Sequence, residues 1–313
     1  MSDKRATERL ASDARGIVRA AELLESGGLV ALPTETVYGL AGRADRADTV
    51  AAIFRAKGRP DFNPLIVHVL HTSAAERLAR FDKRALLLAE RFWPGPLTLV
   101  LPLREETGIA PAVTAGLSTV AVRCPAHPLM RAVLGVTQLP LAAPSANRSG
   151  AISPTTADHV AASLSGRIDA VLDGGSCSRG LESTIVGLRA GSWQLLREGP
   201  IGEADLSALV GERSPLNSAK IDAPGQLAQH YSPGKPVRLE AVDAREGEYL
   251  IGFGPVAGDC TLSADADLAE AASRLYDCLH QAAASGFPLV AVAPVPGEGI
   301  GRAINDRLRR AAG

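Results

Sequence analysis

The pattern of residues 29–69 is apolar within each predicted element and polar at the breaks between elements. The short apolar run Val30-Ala31-Leu32 is typical of a strand that is covered on both faces. A hydroxyl-rich turn follows, and apolar residues at helical spacing then lead to Lys57 and Gly58, which suit the end of a helix. The β-branched run 65–69 predicts a second strand. This stretch therefore predicts a strand, a helix and a strand joined by polar turns.

The rest of the chain has more predicted strands than a simple alternation of strand and helix would give, which favours a mixed sheet over a purely parallel one. We therefore expect an α/β fold with a twisted mixed sheet, flanking helices and a smaller second α/β domain. Residues 211–235 contain proline, glycine and polar residues without a sustained period, which indicates a linker. The large domain should then occupy residues 10–210 and the small one residues 236–313.

Composition and charge exclude several classes of protein. The chain has 313 residues and a formal net charge of −1, so no overall positive field would attract nucleic acid or an anionic membrane. The first residues are polar and mixed in charge, unlike a signal peptide, and no apolar run reaches the ~18 residues of a membrane span. The four cysteines have no CxxC spacing and are typical of thiols in a reducing compartment. We expect a cytoplasmic protein with no membrane partner.

Several common catalytic and cofactor motifs are missing from the sequence. It contains no GxxxxGK[ST] loop, no GxSxG elbow and no HExxH pair, which counts against P-loop, α/β-hydrolase and zincin chemistry. Residues 297–301 are glycine-rich and follow a predicted strand, but they do not complete the dinucleotide fingerprint GxGxxG. No cluster of metal-ligating residues is evident, so we expect no resident metal.

Cationic and hydroxyl side chains lie at the ends of predicted elements, where open α/β sheets place ligands. The cations at such ends are Lys57, Arg59, Arg123 and Arg197. Taken singly, each could be an ordinary surface charge, and the Ser145-Ala146-Asn147 turn could simply cap itself. Four cations beside turns rich in serine, threonine and asparagine nevertheless favour a site for phosphate groups.

Five segments together resemble the YrdC-like family of threonylcarbamoyl-AMP synthases. They are PTETVYGL (33–40), KGRP (57–60), NPLIVHV (63–69), PSAN (144–147) and HYSP (230–233). The last segment and the chain length match the long, two-domain form of the family. The resemblance implies a YrdC-like catalytic domain with a twisted mixed sheet, and a smaller, Rossmann-like α/β domain at the C-terminus. It also implies synthesis of L-threonylcarbamoyladenylate and pyrophosphate from L-threonine, bicarbonate and ATP, for the modification of adenosine 37 in tRNA.

Matching the family's motifs to this sequence implies a role for individual residues. The implied nucleotide contacts are Lys57, Arg59, Asn63, Thr119, Ser145, Asn147, Ser153, Arg197 and Tyr231. The implied contacts to L-threonine are Thr36, His68, Arg123, Ala143 and Ser183, with Thr34 as a neighbouring candidate. Lys57 and Arg59 would be the catalytic pair, because they would offset charge on the ATP phosphates. Mg²⁺ would arrive with the ATP.

Two alternatives and one departure accompany this interpretation. An RNA-binding or ribosome-maturation module could use the same basic groove, although the near-neutral charge and the lack of an aromatic-basic RNA motif count against it as the main role. A carbamoyl-transfer domain like those of hydrogenase-maturation enzymes would need acylphosphatase and zinc-finger regions, which this sequence lacks. Residues 223–233 depart from the family's linker pattern by lacking its basic position. Expected partners are the three substrates, the downstream tRNA threonylcarbamoyl-transfer machinery and, weakly, RNA.

Overall fold

The computed structural model describes residues 6–60, 62–189, 191–214 and 230–313. Within these ranges, ten strands form one mixed sheet and four strands form a second sheet. None of the helices in the same ranges combines the length and the apolar character that a membrane span requires. The predicted α/β class, with a mixed sheet and a smaller second domain, is confirmed.

The ten strands of the large sheet are β1 (Glu8–Leu10), β2 (Val30–Leu32), β3 (Gly39–Arg43), β4 (Ile66–His68), β5 (Leu97–Pro102), β6 (Thr119–Arg123), β7 (Leu141–Ala142), β8 (Ala170–Leu172), β9 (Thr184–Arg189) and β10 (Ser192–Arg197). Its helices are α1 (Ala14–Glu25), α2 (Ala47–Lys57), α3 (Thr72–Glu76), α4 (Lys83–Phe92), α5 (Pro128–Thr137), α6 (Ala157–Leu164) and α7 (Glu203–Val210). The second sheet comprises β11 (Val237–Arg238), β12 (Glu248–Gly252), β13 (Cys260–Thr261) and β14 (Leu289–Val292), with helices α8 (Leu268–Ala284) and α9 (Gly301–Ala312).

Strands of the large sheet lie in the order β1-β8-β2-β3-β7-β4-β6-β5-β9-β10. The pairs β4/β6 and β5/β9 are parallel, whereas β5/β6 and β4/β7 are antiparallel. Strands that are distant in sequence are therefore neighbours at the centre of the sheet. The ends of these central strands bring polar residues from four separate parts of the chain close together.

The two faces of the central strands have different surroundings, because side chains alternate along a strand. On one face, Val67, Leu99 and Val122 belong to the main core together with Ile53 of α2 and Leu88 of α4. The other face carries a small apolar cluster of Ile66, Val100, Ala121, Ile185 and Leu196. No residue of a described helix belongs to that cluster, and Ile66 at its edge lines the cleft described below.

The C-terminal sheet has the order β11-β14-β12-β13, and all of its neighbouring strands are parallel. Helix α8 buries Leu275 and Leu279 in a second core with Ile251. That core also includes Leu181 and Tyr231, which come from outside the small domain. The two domains therefore share an apolar contact, and it lies close to the predicted site residues.

The sequence pattern missed β1, β3, β13 and α7. Strand β1 pairs with β8 from Glu8 onward, two residues before the predicted start of the large domain. Strand β3 contains two glycines and little β-branched character, so its composition gives no strand signal. The predicted domain limits remain a prediction, because residues 215–229 of the linker, including most of the segment that departs from the family's pattern, lie outside the described residues.

Candidate active site

A cleft with about 590 Å³ of empty space opens at the polar ends of β4 and β6. The strand register sets His68 beside Arg123, and it sets Thr98 on the other side of Arg123. Residues paired in register point to the same face of a sheet, so these three polar side chains continue the face formed by Ile66 and Ala121.

The turn between β2 and β3 supplies two buried hydroxyl groups to the cleft. Thr34 Oγ1 donates to the carbonyl of Val37 at 2.6 Å and lies 2.8 Å from Thr36 Oγ1. Because Thr34 uses its one hydroxyl proton on Val37, Thr36 is the donor in any hydrogen bond between the two hydroxyl groups. The lone pairs of Thr36 then remain available as acceptors for an ammonium or hydroxyl group in the cleft.

Glu35, in the same turn, forms a buried ion pair with Arg123. The Arg123 guanidinium donates through Nη2 to Glu35 Oε1 at 2.6 Å, and the amide of Ala126 donates to Glu35 Oε2 at 3.0 Å. Burial alone would raise the pKa of Glu35, but the charge and hydrogen bond of Arg123 outweigh it and lower the pKa. Glu35 is therefore ionised and fixes the plane of the guanidinium within the cleft.

Ser183 connects a third part of the sheet to the cleft. Its hydroxyl lies 2.7 Å from Thr98 Oγ1 and accepts from Arg197 Nη2 at 3.0 Å. Arg197 also donates through Nε to the Ser183 carbonyl at 3.0 Å. The ends of β5, β9 and β10 are thus joined by one hydrogen-bond chain, which places an arginine next to a hydroxyl group at the cleft wall.

Three cations near the cleft form no ion pair with any carboxylate in the described part of the chain: Lys57, Arg59 and Arg197. Lys57 Nζ donates to the carbonyls of Ser145 and Asn147 at 2.5 and 2.6 Å, and Arg59 donates only to carbonyls in its own turn. Burial and the charge of Arg59 lower the pKa of Lys57 well below its usual range. Burial and the charge of Arg197 lower the pKa of Arg59 to about 10. This excess of buried positive charge would be stabilised by a bound anion.

Among the residues that the structure describes, four buried side-chain polar atoms lack a hydrogen-bond partner, and all four are near the cleft. They are Asn63 Oδ1, His68 Nδ1, Asn147 Oδ1 and His230 Nδ1. Leaving a buried polar group unpaired costs roughly 1–3 kcal/mol, so folded proteins rarely leave several of them together. All four belong to residues that line the cleft or neighbour those that do. This concentration of buried polar atoms favours a site for a polar ligand.

The structure brings most of the residues predicted from sequence to one cleft. Nine of them line it: Thr36, Arg59, His68, Arg123, Ala143, Ser145, Ser183, Arg197 and Tyr231. The other five, Lys57, Asn63, Thr119, Asn147 and Ser153, do not line it. Lys57, Asn63 and Asn147 lie behind the wall formed by Arg59, Pro64 and Ser145, and Thr119 shares the face of β6 that carries Arg123. The implied role of each residue remains a prediction.

The imidazole of His68 is neutral and can either accept or donate a hydrogen bond. Burial and the charge of Arg123 lower its pKa to about 3, so the imidazole is uncharged at neutral pH. A neutral His68 beside Arg123 does not add to the positive charge there. It can exchange a hydrogen bond with a substrate through the unpartnered Nδ1.

Glu182 is a cleft residue that sequence reasoning missed. Its carboxylate accepts from Ser153 Oγ at 2.7 Å, from Tyr276 Oη at 2.8 Å and from Arg307 Nε at 3.0 Å. Burial would raise the pKa of Glu182, but Arg307 and Arg197 lower it to about 2. Ser153 is therefore already engaged by this carboxylate. No local pattern could reveal the cluster, because Tyr276 and Arg307 belong to α8 and α9 of the other domain.

Glu35, Thr98 and His230 are also near the site and were not assigned a role. Glu35 and His230 lie inside the quoted motifs, so their neighbours in the sequence were the available signal. The sequence around Thr98 gives no such signal, since only the pairing of β5 with β6 sets this residue beside Arg123. In the described residues, no three histidine, cysteine or acidic side chains are grouped so that they could hold a metal ion.

Comparison with known proteins gives the same family as the motifs. The family model described as "Telomere recombination", which groups Sua5, YciO and YrdC proteins, matches residues 22–199. A second model, described as "Threonylcarbamoyl-AMP synthase, C-terminal domain", matches residues 201–313. Together the two models cover nearly the whole chain.

Relatives with this name align along the full length of the chain. A threonylcarbamoyl-AMP synthase of Bacillus subtilis is 39% identical, with 98% of this chain and 96% of the relative covered. One from Pyrococcus abyssi is 38% identical over 94% of this chain and 93% of its own length. The crystal structure of P. abyssi Sua5 complexed with L-threonine superposes with a TM-score of 0.88 at 36% identity, covering 98% of this chain and 97% of that chain. The chain therefore belongs to the two-domain, Sua5-type family of threonylcarbamoyl-AMP synthases, as its motifs predict.

Proposed function

We propose that this chain makes threonylcarbamoyl-AMP and pyrophosphate from L-threonine, bicarbonate and ATP. Two full-length relatives bear the name of this activity, and a solved relative has been obtained with L-threonine. The observation that carries the proposal is the cleft in which half-buried Arg59 and buried Arg197, neither in an ion pair with a described carboxylate, lie near Thr36, Arg123 and Ser183. An anion with several charges would suit the half that carries Arg59 and Arg197. A small amino acid would suit the half that carries Thr36, Arg123 and Ser183.

The reaction needs two bond-forming steps. The amine of threonine and bicarbonate combine with loss of water to give a carbamate, whose oxygen then attacks the α-phosphorus of ATP. The bond from that phosphorus to the bridging oxygen breaks, and pyrophosphate leaves with the electron pair. Such a transfer depends on positioning and charge neutralisation more than on a covalent nucleophile. No residue in the described part of the cleft stands out as a general base.

The amino acid would lie at the Arg123 end of the cleft. The planar guanidinium of Arg123 suits a substrate carboxylate, and its orientation is already fixed by Glu35. Thr36 offers acceptor lone pairs to the ammonium or hydroxyl group of threonine, and Ser183 and Ala143 complete this end. His68 would exchange a hydrogen bond with the same substrate through Nδ1.

The nucleotide would lie at the Arg59 end. Arg59 and Arg197 would contact the phosphates directly, since both line the cleft. Lys57 would act from behind, because its ammonium group already holds the carbonyls of Ser145 and Asn147. Asn63, Asn147 and Thr119 would contribute to the nucleotide site from its edge, and Tyr231 would cover it. We propose that Mg²⁺ enters with the triphosphate, which supplies its oxygen ligands.

The proposal places the protein in the cytoplasm, upstream of the machinery that transfers the threonylcarbamoyl group to tRNA. The reactive mixed anhydride must be consumed by an acyl transfer to an amine, and the exocyclic amine of a tRNA adenosine is the acceptor implied by the family. Direct binding of RNA by this chain is the alternative. A formal net charge of −1 gives it no particular support.

The test is an assay of purified protein with ATP and Mg²⁺, in which threonine and bicarbonate are omitted in turn. Pyrophosphate and the adenylate should appear in equal amounts, and only when both are present. If pyrophosphate release does not depend on threonine, or no adenylate forms, the proposal is wrong. Salt-dependent binding of RNA without any pyrophosphate release would favour the alternative.

A further inference from the structure

Arg307 of α9 is fully buried, yet it lies at the boundary between the two domains. Its Nε donates to Glu182 Oε2 at 3.0 Å, and its Nη2 donates to the backbone carbonyl of Glu198 at 2.8 Å. Its Nη1 donates to the adjacent Asp306 at 2.9 Å. Each nitrogen of the fork therefore has a partner, and two of the three partners belong to the catalytic domain.

Each of the two catalytic-domain partners of Arg307 is adjacent in the sequence to a residue that lines the cleft. Glu182 precedes Ser183, and Glu198 follows Arg197. Ser183 and Arg197 are themselves joined by two hydrogen bonds of 3.0 Å. One guanidinium from the C-terminal domain thus contacts both of the segments that carry this pair.

Arg307 also reaches the residue proposed to cover the nucleotide. Its guanidinium carbon lies 5.6 Å from the centre of the Tyr231 ring, a distance at which cations and aromatic rings attract. Tyr231 in turn lies 5.4 Å from the ring of Tyr276, whose hydroxyl donates to Glu182. The same cluster therefore connects both domains and the C-terminal part of the predicted linker, which carries Tyr231.

We propose that Arg307 is a positioning residue for substrate binding, and that through it the C-terminal domain is a working part of the active site. This proposal rests on the function proposed above. Arg307 does not touch the cleft; it acts by holding Ser183 and Arg197 at the separation that the substrates require. The proposal explains why a charge is fully buried here, where a pair of apolar residues would stabilise the interface as well or better.

A purely structural role makes a different prediction from a positioning role. If Arg307 and Glu182 only stabilise the interface, then replacing both with uncharged residues of similar size should restore stability and activity together. If they position the cleft, the double variant should regain stability but keep a raised KM. Removing Arg307 alone would leave Glu182 buried without its charged partner, which is strongly destabilising, so that single variant is informative only about stability.

The experiment compares four variants with the wild type, using formation of the adenylate as the readout: Arg307→Lys, Arg307→Met, Glu182→Gln and the double variant Glu182→Gln/Arg307→Met. Glu182 itself lines the cleft, so Glu182→Gln alone gives the share of any change in KM that is due to this carboxylate. Arg307→Lys keeps the charge for Glu182 but cannot also reach the Glu198 carbonyl. It should fold and show a KM for threonine and for ATP raised about 5-fold or more, because the segment of Glu198, which carries the neighbouring Arg197, loses its charged hydrogen-bond donor. In the double variant, the melting temperature should recover relative to Arg307→Met, while both KM values stay raised and kcat changes less.

Arg302→Met is the matched control. Arg302 lies on the same helix and also reaches the catalytic domain, through Glu203 at 3.3 Å, but its side chain is 55% exposed. Its KM values and melting temperature should equal those of the wild type. Wild-type KM values in a folded Arg307→Lys variant would overturn the proposal, as would full recovery of KM in the double variant. An inactive wild type would instead contradict the proposed function itself.

Discussion

Arg123 and Glu35 form a buried ion pair in which the guanidinium is held before any substrate arrives. Nη2 donates to the carboxylate at 2.6 Å, and Nε donates to the carbonyl of Gly95 at 3.3 Å. No group in the described part of the chain accepts from Nη1. The arginine is thus oriented by two partners and keeps donor capacity for a third, which is the arrangement that a carboxylate-binding arginine needs.

Replacing Arg123 with lysine should weaken threonine binding specifically. An ammonium group keeps the charge opposite Glu35 but loses the fork, so the substrate carboxylate loses a charged hydrogen bond worth roughly 1.5–3 kcal/mol. The KM for threonine should rise about 10-fold or more, and the KM for ATP should change little, as measured by pyrophosphate release. Arg131→Lys is the control, because Arg131 donates to the carbonyl of Leu70 outside the cleft. An unchanged threonine KM in Arg123→Lys would show that this arginine does not bind the substrate.

Arg59→Ala and Lys57→Ala should differ in their effect on the empty protein. Arg59 also donates to two carbonyls, but through longer hydrogen bonds of 3.3 and 3.0 Å, and it lies beside the like charge of Arg197. Its removal should therefore lower the free energy of unfolding less than removal of Lys57, and it should abolish the rise in melting temperature caused by ATP. Lys57→Ala leaves two carbonyls without their donor, which should lower the free energy of unfolding by roughly 1–3 kcal/mol for each carbonyl that stays buried. Urea unfolding and thermal shifts with ATP measure both effects. Equal stability of the two variants would contradict the structural part assigned to Lys57.

Gly180→Ala should disturb the contact between the domains far more than Gly175→Ala. Both glycines have a positive φ, 66° and 74°, so alanine is strained by roughly 1–2 kcal/mol at either position. A Cβ at Gly180 would also lie 2.5 Å from backbone atoms of Ala272 and Ser273 in α8, whereas a Cβ at Gly175 would meet nothing within 4 Å. Denaturant unfolding of both variants isolates the difference. If the two lose the same stability, α8 does not approach this loop as closely as the structure indicates.

The free energy of unfolding should fall as the pH is lowered from about 6.5 towards 4. Burial lowers the pKa of His68 to about 3 and the pKa values of His230 and His280 to about 4, from the ordinary value of 6.5. The unfolded chain therefore binds more protons than the folded protein in this range, which makes stability increase with pH there by up to about 1.4 kcal/mol per pH unit for each group.

His280→Gln tests the assignment of that pH dependence. Glutamine retains a donor for the Ser153 carbonyl, which His280 Nε2 approaches at 3.2 Å. In urea unfolding between pH 5 and 6.5, the slope of stability against pH should decrease by an amount of order 1 kcal/mol per pH unit. This range lies above the window in which Glu182 loses its contribution, since that contribution disappears as the pH falls from 4.5 to about 2. An unchanged slope would mean that His280 is not buried in its neutral form.

The fold could be predicted where local pattern and tertiary environment agree. The apolar runs of β2, β4 and β6 are covered strands, and Gly58 ends α2 in the left-handed conformation, as its position after Lys57 predicts. Strand β3 could not be predicted, because its glycines carry no strand preference. A Cβ at Gly42 would lie 2.7 Å from Thr49 of α2, so the close packing of helix on strand, and the partners β2 and β7, decide its conformation.

The candidate site was predictable only as far as short motifs and strand ends reveal it. Polar residues after apolar runs indicated where a ligand could bind, and the motif resemblance selected Arg123, Ser183 and Arg197. The contacts of Glu182 with Tyr276 and Arg307 join residues 94 and 125 positions apart. No periodicity or motif records such a contact, because it depends on how the second domain packs against the first.

The central claim is that one cleft holds a nucleotide and threonine side by side. It is tested most directly by a calorimetric titration of L-threonine into protein saturated with Mg²⁺ and α,β-methylene-ATP, whose α–β bridge cannot be cleaved. We predict that threonine binds with one-to-one stoichiometry to the nucleotide complex, and that Arg123→Lys weakens this binding while Arg131→Lys does not. Exclusion of threonine by the analogue, or equal affinity in the wild type and Arg123→Lys, would contradict the account.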